Sequence, residues 1–409
     1  MSRRRRGINR SAAALALASL LVPGCVEPLP QPAATEALAG LQAEPWPAAD
    51  RLFFNNPDTP RFKGADVANS VALDGDRVLW VFGDTLVAEP GANACDRFDN
   101  FGILVHNSLA LQEGTNPTTA RIRHFWAQQQ GVPASFFAPA DGEDGWYWMG
   151  GVTVVGDQLL VFLMHARAIV DAAADAGGDS SCAGLNFEML GWDARIARIT
   201  PDTPDRWQWR PVALPEDTRW HNILAGSSTA LADGEFLYAW SAGPAAAAGN
   251  PVFLARWPLA AATAADLGNP QWYTDAGWRT QADLGSDAPA ALVRDGNNEI
   301  SVARNLWAGA AESWWWLQSS RVVNSPLCYR SGSSPVAFGA CRDFMVPPEL
   351  LEYPDSRLLV YAAKLHPALS GQGDAEAIAT YVVNSCDLRD IQDRCDLYYP
   401  RFIKLRRRE

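Results

Sequence analysis

The feature of this sequence that most constrains its fold is the shortness of its apolar runs. Between residues 51 and 405 these runs are five to nine residues long, rich in Val, Leu, Trp, Phe and Tyr, and bounded by Gly, Asp, Asn and Pro. Runs of this length and composition are typical of β-strands separated by turns. No segment has apolar residues at helical spacing over three turns. The sequence therefore predicts an all-β fold.

Five pairs of these runs flank a turn signal, and each pair predicts a β-hairpin. The fourth hairpin is expected to turn at residues 295–297 and the fifth at residues 353–355. One or two further strands follow each hairpin, so the repeat predicts a five-bladed β-propeller in a single domain, residues 51–409. A two-sheet sandwich is the alternative, although it rarely needs roughly 350 residues. The five hairpins span residues 65–84, 149–167, 223–240, 288–306 and 344–365.

An aspartate lies near each end of the first hairpin, at Asp66 and Asp84. If Gly75 is the midpoint, residues whose numbers sum to 150 face each other. Asp66 and Asp84 then share one face, with Cβ atoms about 5 Å apart. A two-residue turn at Asp74 and Gly75 shifts the register by one residue and puts the carboxylates on opposite faces. The sequence leaves both registers open.

In a propeller the inner strands surround a central axis, so the ends of all five hairpins are expected to line one funnel. The polar and aromatic residues at these ends form a candidate site. A ring with this many acids and histidines favours binding or catalysis over a purely structural function. Its members are Asp66, Asp84, Trp148, His165, Arg167, His221, Asn222, Asp287, Asn305, Glu349, Lys364 and His366.

Tryptophan is abundant in this chain, with 17 residues. Flat aromatic faces suit the apolar faces of sugar rings, and Trp148, Trp220 or Trp307 at the funnel rim could hold a polysaccharide. Most of the other tryptophans are expected to fill space between blades. The consecutive residues 314–316 must alternate between the two faces of a strand.

Six short motifs occur in order along the chain: GAD at 64–66, WVFGDT at 80–85, VHNSLAL at 105–111, WMGG at 148–151, YAAKLHP at 361–367 and YVVNS at 381–385. Together they resemble a bacterial family of five-bladed β-propellers, mostly uncharacterised, whose relatives include endo-D-arabinanases and other propeller furanosidases. The resemblance covers nearly the whole body of the chain. It implies a glycoside hydrolase-like fold and points to Asp66 and Asp84 as the acidic pair. His106 and Asn107, in the HNS motif, complete the set of candidate substrate-binding residues.

Cleavage of a glycosidic bond needs one carboxylic acid to protonate the departing oxygen and one carboxylate to act as nucleophile or to activate water. Carboxyl separations of about 5 Å favour retention of configuration, and separations of about 6.5–9.5 Å favour inversion. A directly opposed Asp66 and Asp84 would suit a retaining pair. If they diverge, Asp66 with Asp287 or Glu349 across the funnel would suit inversion. The histidines could bind sugar hydroxyls or relay protons, or could simply form hydrogen bonds between blades.

The first 24 residues have the pattern of an export signal, an arginine cluster followed by an apolar run at residues 12–22. This run is too short to span a bilayer, which needs roughly 20 residues. It ends in Val-Pro-Gly-Cys, which resembles the lipobox of bacterial lipoproteins, so Cys25 is the expected lipidation site. Residues 25–50 follow as a flexible tether. We therefore expect an exported protein of the bacterial cell envelope, periplasmic or on the cell surface, held to the membrane only by a lipid anchor.

Seven cysteines leave one over after pairing, and Cys25 is the natural odd one. An oxidising compartment permits the other six to form three disulfides, with buried free thiols as the alternative. The short spacings favour two of the pairs and leave the third by elimination. The expected pairs are Cys328 with Cys341, Cys386 with Cys395, and Cys95 with Cys182.

Loss of residues 1–24 would remove five arginines and no acid, which takes the formal net charge from −12 to −17. This acidity argues against nucleic acid and anionic membrane surfaces as partners. The chain has no HExxH, P-loop, CxxC or GxSxG motif, so we expect no cofactor or catalytic metal, while a structural ion at the axis stays open. The leading hypothesis is a monomeric, lipid-anchored glycoside hydrolase that acts on an extracellular polysaccharide or oligosaccharide. A carbohydrate-binding or adhesion propeller without catalysis, or an envelope scaffold, is the alternative.

Overall fold

The computed structural model describes residues 40–88, 103–169, 187–246, 248–305, 307, 312–370, 376–394 and 396–407. Strands dominate this part of the chain, and its α-helices have four to six residues each. The helices are α1 (Pro47–Asp50), α2 (Leu259–Thr263), α3 (Gln281–Leu284), α4 (Pro348–Glu352) and α5 (Leu388–Asp393). Single 3₁₀ turns lie at Pro204–Arg206, Trp220–Asn222 and Pro367–Leu369. The all-β prediction is confirmed.

The strands in chain order are β1 (Leu41–Pro45), β2 (Phe62–Ala65), β3 (Asn69–Ala72), β4 (Arg77–Phe82), β5 (Thr85–Val87), β6 (Ile103–Val105), β7 (Ser108–Glu113), β8 (Arg121–Phe125), β9 (Ala127–Gln129), β10 (Val132–Ala134), β11 (Trp146–Val155), β12 (Gln158–Ala168), β13 (Phe187–Arg198), β14 (Arg210–Pro211), β15 (Thr229–Asp233), β16 (Phe236–Ala242), β17 (Asn250–Pro258), β18 (Gln271–Thr274), β19 (Gly277–Thr280), β20 (Val293–Gly296), β21 (Ser301–Arg304), β22 (Trp314–Ser319), β23 (Leu327–Ser334), β24 (Ala337–Phe338), β25 (Arg342–Met345), β26 (Leu358–Leu365), β27 (Glu376–Ser385) and β28 (Pro400–Arg407).

Five antiparallel sheets have four or more strands, and we number them I to V along the chain. Sheet I has the order β3-β4-β7-β8, and sheet II has the order β11-β12-β13-β14. Sheet III has the order β15-β16-β17-β18-β19, and β20 also pairs with β17. Sheet IV has the order β21-β22-β23-β24, and β25 also pairs with β23. Sheet V runs β26-β27-β28-β1, so it combines the first and last strands of the described chain. The flexible tether expected over residues 25–50 is therefore wrong for residues 41–50, which form β1 and α1 of the folded body. Two smaller sheets are β2-β5-β6 and β9-β10.

Hydrophobic clusters join the five sheets in cyclic order. Each large apolar side chain buried in such a cluster stabilises the fold by about 1.5–3 kcal/mol. Residues 314–316 alternate as expected, since Trp314 and Trp316 face sheet III while Trp315 faces sheet V. The shared clusters include Val81 and Met149 for sheets I and II, Phe162 and Trp257 for II and III, Trp240 and Trp316 for III and IV, Trp315 and Tyr381 for IV and V, and Phe402 and Trp80 for V and I.

Three of the five expected hairpins are confirmed, as β3-β4, β11-β12 and β15-β16. The fourth and fifth are wrong. Strand β20 pairs with β17 in sheet III, whereas β21 begins sheet IV. Likewise β25 pairs with β23 in sheet IV, and helix α4 then leads to β26 in sheet V. Both segments are crossovers between sheets. Their turn residues mark a change of direction but do not specify which strand pairs with which.

The disulfide between Cys328 and Cys341 is confirmed, with an S–S distance of 2.04 Å. Cys386 is also a disulfide cysteine. The other cysteines named above, Cys25, Cys95, Cys182 and Cys395, lie outside the described residues. None of the helices in the described ranges is long and apolar enough to cross a membrane.

Candidate active site

Asp66 and Asp84 lie opposite each other in a gap between two short ladders. Strand β2 ends before Asp66, and β3 begins after Val67 and Ala68, which both have positive φ (63° and 49°). The facing strand is interrupted at Gly83 and Asp84. The Asp66 N–H donates to the Asp84 carbonyl oxygen (3.2 Å), and the Gly83 N–H donates to the Asp66 carbonyl oxygen (3.2 Å). Strained backbone of this kind is concentrated at functional sites.

The register that aligns Asp66 with Asp84 is confirmed. Asn69 faces Val81 in the β3-β4 ladder, and Ala65 faces Thr85 in the β2-β5 ladder. Both pairs have residue numbers that sum to 150, as the midpoint at Gly75 requires.

The Asp66 carboxyl group is buried and held by two tyrosines that are distant in sequence. Its Oδ2 accepts a hydrogen bond from the Tyr361 hydroxyl (3.0 Å) and lies 3.2 Å from the Tyr398 hydroxyl. The Tyr398 hydroxyl also lies 2.9 Å from the Asp84 carbonyl oxygen, so its single proton serves one acceptor at a time. Burial raises the pKa of Asp66 well above its usual range, and the charges of Asp84 and Glu299 raise it further, against the two hydroxyl groups.

The Asp84 carboxylate is buried and is fixed by two donors, Trp148 on β11 and His106 in the segment between β6 and β7. Its Oδ1 accepts hydrogen bonds from Trp148 Nε1 (2.8 Å) and from His106 Nδ1 (2.9 Å). The His106 ring stacks on Trp146 with centroids 4.5 Å apart, which fixes the ring plane. Donation from Nδ1 defines the tautomer of a neutral His106. Asp84 is therefore held rigidly next to Asp66.

Glu299 is the third carboxyl group of the site, and it lies just before β21. Its Oε2 is 3.7 Å from the ammonium group of Lys364 and has no hydrogen-bond partner among the described residues. Burial raises the pKa of Glu299, while the charge of Lys364 opposes this and that of Asp84 adds to it. Lys364 is itself buried, donates to the Ile300 and Ser228 carbonyl oxygens (3.3 and 3.5 Å), and has its pKa lowered by burial.

A cavity of about 320 Å³ opens onto these groups. Asp66 and Glu299 both line it, whereas Asp84 does not. Trp148 covers the sheet II side. At least one lining residue comes from the entry or first strand of each sheet, and these include Asp66, Trp148, Asn222, Glu299 and Tyr361. The cavity therefore lies where all five sheets converge.

The two alternative acids, Asp287 and Glu349, are not brought to the cavity. Asp287 is exposed after α3. Glu349 is buried on α4, where it pairs with Arg401 (2.9 Å) and accepts a hydrogen bond from the Tyr381 hydroxyl (3.0 Å). Both neighbours satisfy the Glu349 carboxylate, so this arrangement favours a structural role for Glu349.

Among the candidate binding residues, Trp148 and Asn222 line the cavity and His106 contacts Asp84. Arg167 pairs with Glu188, which lines the cavity, while Arg167 itself does not. His221 is exposed beside Asn222.

Four other candidate binding residues make contacts away from the cavity. Asn107 is fully buried and donates to the Phe137 and Tyr147 carbonyl oxygens. His165 contacts the Asp144 carbonyl oxygen, and Asn305 donates to that of Glu312. His366 is buried between the hydroxyl groups of Ser70 (2.7 Å) and Thr380 (2.8 Å), and burial lowers its pKa to about 3. A neutral His366 thus joins sheets I and V.

Sequence reasoning missed Glu299, Tyr361 and Tyr398 as site residues. Glu299 was missed because residues 288–306 are predicted as a single hairpin. In that hairpin Glu299 follows the turn, whereas in the structure it precedes the first strand of a sheet. Its position parallels that of Asp66, since Ser301 begins β21 and Asn69 begins β3. This parallel in position is the signal that could have identified Glu299 as a site residue. The tyrosine contacts join residues 295 and 332 positions apart, and no local pattern indicates them.

The described residues contain no group of three or more His, Cys, Asp or Glu side chains that could hold a metal ion. Among the carboxyl groups of the site, Glu299 has a nearby cation in Lys364, and burial raises the pKa of both Asp66 and Glu299. A buried carboxyl group whose pKa is raised in this way can serve as a proton donor in general acid–base chemistry.

A family model described as "Domain of unknown function (DUF5005)" matches residues 53–407. The chain belongs to the DUF5005 family. This agrees with the resemblance to a family of mostly uncharacterised proteins. No curated protein matches the chain in sequence.

Among solved structures, this DUF5005 chain is similar to a protein of Bacteroides ovatus ATCC 8483 described as a candidate hydrolase, with TM-score 0.63 and 14% identity over 89% of this chain and 90% of that one. This likeness is one of fold. Two more remote matches are the GH62 α-L-arabinofuranosidase catalytic domain of Coprinopsis cinerea (TM-score 0.46, 12% identity, 90% and 96% covered) and the α-L-arabinanase of Cellvibrio cellulosa complexed with arabinohexaose (TM-score 0.42, 9% identity, 83% and 90% covered).

Proposed function

We propose that the protein is a glycoside hydrolase and that its five sheets are the blades of a β-propeller. The cyclic order of the shared hydrophobic clusters supports the propeller. The lining of the cavity by residues from the entry or first strand of all five sheets supports an axial active site. The observation that carries the function is the pair of carboxyl groups, that of the buried Asp66 and that of the half-buried Glu299, on one cavity beside Trp148 and Tyr361. An aromatic wall beside an acidic pair suits a sugar ring held at its scissile bond.

In this proposal Asp66 is the proton donor. Burial and two like charges raise the pKa of Asp66 well above its usual range and favour its neutral form, against the hydrogen bonds from Tyr361 and Tyr398. Glu299 faces the Lys364 ammonium group, which favours its ionised form, so it is the nucleophile or the base that activates water. Asp84 acts indirectly, by raising the pKa of Asp66. Its charge disfavours a second charge next to it, and its own carboxylate does not reach the cavity.

The proposed substrate is an extracellular polysaccharide or oligosaccharide, and arabinans are the first to test because the sequence motifs resemble a family related to endo-D-arabinanases. The arginine cluster, the apolar run and Cys25 support export and a lipid anchor in the cell envelope. The protein is proposed to act as a monomer with no cofactor.

The test is release of reducing ends from a polysaccharide panel that includes linear arabinan. We expect turnover by the wild type and a loss of at least about 10²-fold in kcat for Asp66→Asn and for Glu299→Gln. Asp287→Asn, an exposed acid outside the cavity, is the matched control and should retain full activity. Carbohydrate binding without release, unchanged in both site variants, would instead support a non-catalytic binding propeller.

The assignment of roles has a separate test. Aryl glycosides with good leaving groups need little proton donation. They should therefore rescue Asp66→Asn but not Glu299→Gln. Rescue of Glu299→Gln alone would reverse the two roles and leave the glycoside hydrolase proposal standing.

A further inference from the structure

One wall of the cavity is apolar. Met164 lies near the end of β12, and Phe187 and Met189 lie at the start of β13. Leu224 and Pro244, from the segments before β15 and after β16, extend this wall on the sheet III side. Two of the five methionines of the whole chain thus face one cavity.

Several of the polar side chains on the same side of the cavity are engaged with protein groups. Glu188 pairs with Arg167, and the Asn222 Oδ1 accepts a hydrogen bond from Arg219 Nε (3.2 Å). The Ser227 hydroxyl oxygen accepts one from the Ala242 N–H (3.3 Å). These contacts reduce the hydrogen-bonding capacity that this wall can offer to a sugar.

Aliphatic side chains, phenyl rings and thioethers offer at most weak hydrogen bonds to sugar hydroxyl groups. A hydroxyl group moved from water to such a wall loses hydrogen bonds, whereas an apolar group gains contact and leaves water. Methionine is flexible and adapts its shape to an irregular apolar ligand. The flat ring of Trp148, 4.8 Å from Phe187 between centroids, could still hold a sugar face next to this wall.

We infer that the substrate is a carbohydrate that carries an aryl or acyl group on a sugar next to the scissile bond, and that this group lies against Met164, Phe187 and Met189. The inference rests on the proposed function, because Asp66 and Glu299 on the same cavity define where the scissile bond lies. It narrows the substrate from a plain polysaccharide to one with an apolar substituent.

The test compares an arabino-oligosaccharide with the same oligosaccharide carrying one O-benzoyl group. We expect the wild type to favour the benzoylated form by at least about tenfold in kcat/KM, within the range that apolar pockets achieve. The double variant Met164→Gln with Met189→Gln should lower this ratio severalfold, whereas Met164→Leu should retain it. Leu351→Gln, at a residue that is 61% exposed and outside the cavity lining, is the control and should leave the ratio unchanged.

Because the readout is a ratio of two substrates on one protein, partial unfolding of a variant does not alter it. If neither form is cleaved, the proposed function fails, and calorimetry on the wild type decides the inference separately. Tighter binding of the benzoylated form by about tenfold would support it. Equal affinities, no binding of either form, or a preference unaffected by the double variant would overturn it.

Discussion

At Gly83 the space that a side chain would need is taken by the Asp66 carboxyl group. A Cβ atom there would lie 2.3 Å from Asp66 Oδ1 and 2.7 Å from Val67 Cγ2. Gly83→Ala should therefore displace the carboxyl group and reduce kcat by about 10²-fold, as misplacement by about 1 Å typically does. The measurement is steady-state kinetics together with the melting temperature. Gly339→Ala is the control, because a Cβ there meets only one atom, at 3.7 Å. Full activity in Gly83→Ala would contradict the placement of Asp66.

Lys364 offers a second test at the scale of one residue. Its ammonium group favours the ionised form of Glu299, so Lys364→Met should raise the pKa of Glu299 further. If Glu299 must be ionised for turnover, the acidic limb of the pH–rate profile should move to higher pH. Lys404→Met is the matched control, since Lys404 pairs with Glu376 away from the cavity. If the acidic limb does not move, Lys364 does not control the ionisation of Glu299 during turnover.

At the scale of elements, β8 carries a histidine in an aromatic environment. The His124 ring stacks on Phe62 with centroids 4.0 Å apart, and its two ring nitrogens are buried without a hydrogen-bond partner among the described residues. Burial lowers the pKa of His124 from 6.5 to about 3. The unfolded chain binds a proton below about pH 6.5 that the folded chain does not, so the free energy of unfolding falls as pH drops from 6.5 towards 3.

His124→Phe should remove this part of the pH dependence, up to about 1.4 kcal/mol per pH unit. Chemical denaturation at pH 7 and pH 5 measures it, and the variant should lose less stability between these two values than the wild type. The exposed His221→Asn is the control. An unchanged difference between the two pH values would contradict a buried, neutral His124.

The elements also show what the sequence can and cannot specify. The turn around Gly75 and the alternating strands beside it predicted the first hairpin and left its register open by one residue. The fourth and fifth hairpins could not be predicted, because a turn signal such as residues 295–297 does not reveal that β20 and β21 belong to different sheets. The same limit hid Glu299. Contacts such as that of Tyr398 with Asp66 arise only when the two ends of the chain meet in the fold.

At the scale of the whole molecule, sheet V joins the start and end of the described chain. Leu41 on β1 is 1% exposed and packs in the cluster between sheets IV and V. Leu41→Ala should lower the free energy of unfolding by about 2–5 kcal/mol. Val132→Ala, at a residue that is 49% exposed, is the control and should cost little. A Leu41 variant as stable as the wild type would show that β1 does not hold the fold together.

The central claim is that Asp66 and Glu299 act together on a sugar in the cavity shared by the five sheets. A crystal structure of Glu299→Gln soaked with an arabino-oligosaccharide, plain or benzoylated, tests it most directly. We expect a glycosidic oxygen between the side chains of residues 66 and 299, with a sugar ring beside Trp148. An oligosaccharide bound elsewhere, with the cavity empty of sugar, would contradict it.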